Sequence, residues 1–99
     1  MVFEVVITDA ALADAEDYVT FIRTEQEEPS AAERWWNGLL EAIFSLEQMP
    51  ERCALIPERS HFSEDLRHLI YFSHRIIFSV TSNEVVILRI YHVSRQPIR

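Results

Sequence analysis

The sequence predicts an α+β fold of order β-α-α-β-β-β, with a helical hairpin packed on a mainly antiparallel four-stranded sheet. Three observations carry that expectation. The first half switches from strand-like composition to two stretches of helical periodicity joined by a short break. The last third alternates in runs of seven to nine residues with links of one or two residues between them. Only 99 residues are present, enough for one domain and one core.

Residues 2–8 (Val-Phe-Glu-Val-Val-Ile-Thr) are β-branched and aromatic, the composition of a strand. Thr8 or Asp9 then offers a cap, and Ala11, Leu12, Ala15, Val19 and Ile22 recur at helical spacing. Asp14, Glu16 and Asp17 fall mostly off that stripe and read as a solvated face. Pro29 ends this helix after an acidic run, and Ser30-Ala-Ala-Glu33 has the form of a capping box for the next. The second helix runs to about Gln48 on an apolar face of Ala32, Trp36, Leu39, Leu40, Ile43 and Leu46. Trp35 and Trp36 are about 100° apart on a helix, so one is expected in the core and the other at its edge or in solvent. Gly38 is expected to let the two helices approach closely. Residues 49–65, with Pro50 and Pro57, read as a loop. Leu66–Phe72, His74–Thr81 and Glu84–His92 follow as three strands, with Ser82-Asn83 as the last turn and an irregular tail beyond.

Composition narrows the function. The formal charge is −7, which argues against non-specific nucleic-acid binding. That charge is unevenly spread. Residues 1–51 hold twelve Asp/Glu and two Arg, a net of −10, whereas residues 52–99 hold four Asp/Glu and seven Arg, a net of +3, with all four histidines. Every cationic side chain is Arg, the residue suited to bidentate contact with carboxylate or phosphate. A single cysteine, Cys53, excludes an internal disulfide and a thiolate zinc cluster. No His/Asp/Glu spacing suits a metal and no Gly-rich loop suits a phosphate, so neither metal nor cofactor is expected. No apolar run is long enough to span a membrane, and no basic leader precedes the first strand. A cytoplasmic location is the expectation.

The element order together with certain residues resembles the ParE/RelE toxin superfamily of type II toxin–antitoxin (plasmid stabilisation) proteins. The match runs through Ala11, Asp14 to Asp17 and Tyr18, then Pro29-Ser-Ala-Ala-Glu-Arg-Trp35, Leu40-Glu-Ala-Ile43, Leu46 and Pro50. It continues with Ile56-Pro-Glu58, Leu66-Arg67, His74-Arg75-Ile-Ile-Phe-Ser-Val80, Val86-Ile-Leu-Arg-Ile-Tyr-His92 and Arg95. The resemblance implies a toxin neutralised by a cognate antitoxin protein. In its ParE branch the target is DNA gyrase and no catalytic residue is known. In its RelE branch the protein is a ribosome-dependent mRNA endoribonuclease. A third reading is an inactive relative that serves only as a binding module.

Under the RelE reading, Arg75 and Arg95 match active-site arginines on the scissile phosphate and His92 a catalytic histidine. The family's lysines and its C-terminal tyrosine have no counterpart here, which favours the ParE branch. Arg67, His68, His74, Ile77, Leu88 and Ile90 are the expected surface for target or antitoxin. Both sheet faces are apolar, so one would be exposed unless a partner, the 49–65 loop or the tail covers it. An even-numbered loop at Ser82-Asn83 would set Arg75 opposite Ile90, with His92 just beyond on the same face; a bulge would break that arrangement. The assembly is expected to be a homodimer or a toxin–antitoxin hetero-oligomer.

Overall fold

A computed structural model describes residues 2–26, 29–57 and 65–94. It contains β1 (Glu4–Ile7), α1 (Asp9–Gln26), α2 (Pro29–Phe44), β2 (Arg67–Tyr71), β3 (His74–Val80) and β4 (Glu84–His92). Single 3-10 turns at Ser45–Glu47 and Pro50–Arg52 follow α2. The sheet order is β1-β4-β3-β2; β1 runs parallel to β4, and the other pairs are antiparallel. None of the described helices is long and apolar enough to cross a membrane.

Local chemistry explains the joints. Thr8 caps α1, its hydroxyl accepting from the Ala11 amide at 3.2 Å while donating to the Ile87 carbonyl at 2.8 Å. That one side chain fixes where β1 stops and how α1 leaves the sheet. Pro29 opens α2 instead of merely ending α1. A proline at the first helical position gives up an N–H that has no helical partner anyway. Ser30 therefore lies inside the first turn, where its hydroxyl accepts from Arg34, and not at the expected cap. Gly38 makes room for the sheet and not for α1: a Cβ there would overlap the Tyr71 hydroxyl. That hydroxyl donates to the Trp35 carbonyl at 2.9 Å and pins α2 to β2.

The main core lies between the hairpin and one sheet face. Ala11, Ala15, Leu39, Ile43 and Leu46 meet Ile76, Phe78, Val85, Ile87 and Ile90 there. Burying each of the Leu, Ile, Val and Phe side chains among these contributes roughly 1.5–3 kcal/mol. A smaller cluster covers part of the opposite face, where Ile56 and Leu66 close over Ile77, bordered by Leu88 and Tyr91. The described part of the loop is held there as a short second neighbour of β2. The Ile56 amide donates to the Leu66 carbonyl, and the His68 amide to the Ala54 carbonyl.

Candidate functional site

The strand pairing changes register within β3 and β4. Val80, Ser79 and Phe78 face Val85, Val86 and Ile87, but Ile77, Ile76, Arg75 and His74 face Arg89, Ile90, Tyr91 and His92. Leu88 is the extra residue of a β-bulge, and everything beyond it is shifted by one. Because side chains alternate between faces, a one-residue shift decides which groups meet. Arg75 lies opposite Tyr91 and not Ile90, so the expected Arg75–His92 face does not form. Arg75 lies on the face away from the helices, and His92 is on the helix face opposite His74.

On the far face Arg75 Nε donates to His68 Nδ1 at 3.2 Å, and the Arg89 guanidinium lies 4.7 Å from the centre of the Tyr91 ring. Ile77, expected as a contact residue, is 1% exposed beneath Ile56 and Leu66, so the loop covers it. Ile90 is also buried, but in the main core on the other face. Leu88 is half-buried at the rim. Arg67 holds the loop, donating to the Cys53 carbonyl at 2.6 Å and the Glu51 carbonyl at 3.3 Å. Arg95 lies outside the described residues.

On the helix face the end of the sheet opens into a recess of about 350 Å³ between α1 and the β3–β4 strand ends. His74 and His92 form one wall, their rings edge to face at 5.2 Å, with Tyr18 4.2 Å from His74 and Phe21 stacked on Tyr18 at 5.7 Å. Trp35 backs this ring cluster, 5.2 Å from His74. His74 is 3% exposed and hence a wall of the recess, not a surface group. His92 Nδ1 accepts from the Ser94 amide at 3.1 Å, with the Ser94 hydroxyl 2.7 Å away. A nitrogen that accepts an N–H carries no proton, so the neutral ring holds its proton on Nε2.

Asp14 is the residue the sequence reading misplaced. β1 covers only Glu84–Ile87 of β4, leaving the rest of that edge without a strand. There the Asp14 carboxylate accepts from the Ile90 amide at 2.9 Å and takes a bidentate pair from Arg89, both contacts at 2.8 Å. The hydrogen bond to Asp14 is the main cause raising the Arg89 pKa; burial opposes it and the Asp14 charge adds to it. The available signal was spacing: Asp14 lies between Ala11 and Tyr18 at steps of three and four, on the seam of α1 facing the sheet. Among the described residues no cluster of three His, Cys, Asp or Glu suits a metal ion.

A two-helix hairpin on a β1-β4-β3-β2 sheet places the molecule in the structural class of a chromosomal ParDE toxin–antitoxin system from P. aeruginosa. That structure superposes with a TM-score of 0.76 at 22% identity, covering 94% of this chain and 98% of the other. No curated protein matches the sequence. The model of the ParE toxin of the type II toxin–antitoxin system parDE matches residues 5–97, and the chain belongs to that family.

Proposed function

We propose that this chain is a toxin that binds and poisons DNA gyrase without catalysing a reaction of its own, and that a cognate antitoxin holds it inactive. Family membership supports the toxin role. The observation that carries the non-enzymatic branch is the bulge at Leu88, which leaves Arg75 and His92 on opposite faces of the sheet. Cleavage through a ribose 2′-hydroxyl needs a base and a phosphate-binding cation converging on one group within hydrogen-bond reach. The lone pair that His92 would use as a base is already occupied by the Ser94 amide. A formal charge of −7 is also poorly suited to a substrate buried in ribosomal RNA.

Purified toxin at micromolar concentration is expected to inhibit gyrase supercoiling or to accumulate cleaved DNA, and an Arg75→Ala/His92→Ala double variant is expected to retain that effect. Translation arrest with A-site cleavage by toeprinting, lost in the double variant, would restore the nuclease reading. The antitoxin is expected to dock on the far face of the sheet, where Ile70 and Leu88 are accessible beside Arg75, His68 and Arg89.

A further inference from the structure

We infer that the recess between α1 and the ends of β3 and β4 is a receptor for an arginine side chain presented by a bound polypeptide. Its chemistry is that of a cation site. Tyr18 and Phe21, with 27° between their ring planes, form a continuous aromatic wall, and Phe21 stays 51% exposed at the mouth. One side of this ring packs on Tyr18, and the rest of it is open to solvent. Aromatic faces attract cations, and the planar guanidinium also stacks on them. Two carboxylates of the same helix, Asp14 and Asp17, also line the recess. Asp14 is occupied by Arg89 and the Ile90 amide, but Asp17 has no hydrogen-bond or ion-pair partner among the described residues.

The guest's geometry has a precedent at the edge of the same recess, where Asp14 is part of the lining. Arg89 forks onto Asp14 while lying 4.7 Å from the Tyr91 ring centre, so this chain already holds one guanidinium between a carboxylate and a ring. The recess offers the same two elements, Asp17 and the Tyr18–Phe21 wall, without the arginine. His74 and His92 complete it as further ring surface. A volume of about 350 Å³ accommodates a guanidinium and its methylene stem. Whether gyrase is the target has no bearing on this recess, and loss of gyrase inhibition would leave it intact.

Aromatic proton resonances of the folded toxin, titrated with N-acetyl-arginine amide, test the assignment. Saturable shifts confined to Tyr18, Phe21, His74 and His92 are expected, with upfield movement of the ligand δ-methylene protons from ring currents. N-acetyl-citrulline amide, of the same shape without the charge, should bind several-fold more weakly. Asp17→Asn, on an exposed helix position, should weaken arginine binding about three- to five-fold, the range of a solvent-exposed charge pair. Phe21→Ser should weaken it by a similar factor through the lost ring face. Equal binding of citrulline, an unchanged affinity in Asp17→Asn, or saturable binding of inorganic phosphate in place of arginine would each overturn the assignment.

Discussion

Replacing Asp14 with alanine removes a carboxylate that does two things at once, and the structure ranks their sizes. The Arg89–Asp14 pair is asymmetric in exposure, 40% for the Arg89 side chain and 13% for Asp14. Solvent therefore screens it, and the ion pair contributes about 1 kcal/mol at most. The larger loss is the Ile90 amide, which faces the uncovered edge of β4 and has Asp14 as its acceptor at 2.9 Å. A buried donor left without an acceptor costs about 1–3 kcal/mol. Together Asp14→Ala should destabilise by roughly 2–4 kcal/mol, a large share of the roughly 5–15 kcal/mol available to a domain of this size. In urea, monitored by circular dichroism, the midpoint should fall by about 1–2 M for a slope of about 2 kcal/mol per molar. Asp14→Asn keeps an oxygen for the Ile90 amide and should cost only about 1 kcal/mol. Arg89→Ala should cost about the same, because it leaves the amide satisfied. If Asp14→Ala stayed within 0.5 kcal/mol of the parent protein, or if Arg89→Ala equalled it, edge capping by this carboxylate would be refuted.

Gly38→Ala should destabilise by about 1–2 kcal/mol by crowding the Tyr71 hydroxyl, although alanine is the better helix former by about 1 kcal/mol. Adding Tyr71→Phe should recover part of that loss in thermal unfolding, since it removes the crowded oxygen. Burial first, and Glu41 second, raise the Tyr71 pKa above its ordinary 10.0. The protonated hydroxyl is thus favoured in the folded protein. Its contribution is complete below pH 10 and should fade as pH rises through the higher folded value, a loss absent in Tyr71→Phe. Burial likewise raises the Cys53 thiol above its ordinary 9.0, against the smaller opposing effects of Arg52 and Arg67. Iodoacetamide should therefore label Cys53 at pH 8 much more slowly than free cysteine, with the rate rising at the urea transition; fast labelling of the folded protein would contradict the burial.

How much of this was legible from residues alone depended on whether a feature repeats. The helical stripe of Ala11, Ala15, Val19 and Ile22 and the two-residue turn at Ser82-Asn83 announce themselves, because periodicity and turn chemistry are local. The bulge does not. Ile76, Ile77 and Phe78 are all buried, so both faces of β3 read as apolar and nothing in the alternation marks where one residue of β4 is skipped. The candidate site depends on that skip: an unbroken two-residue hairpin sets Arg75 and His92 on one face, and the bulge separates them. Trp35 and Trp36 were expected to divide between core and edge; both are half-buried, because α2 packs against the sheet on one side and α1 on the other. Asp14 and Gly38 have partners far along the chain, Arg89 and Tyr71, which no local pattern reveals.

The parallel pairing of β1 with β4 joins Ile7 to Ile87, nearly the full length of the chain. Contacts of such separation form late, because a long loop must close before they stabilise anything. During synthesis at about 5–20 residues per second, β1 emerges and then waits about 4–16 s for β4, its strand partner among the described residues. Through that interval Val5 and Ile7 have no strand beside them, and Thr8 lacks the carbonyls of Ile87 and Leu88 that it will later bond. A nascent or prematurely terminated chain therefore lacks the complete four-stranded sheet and the recess at its end. Quality-control proteases would meet it as an open, degradable polypeptide, and competence to act arrives only with the last strand.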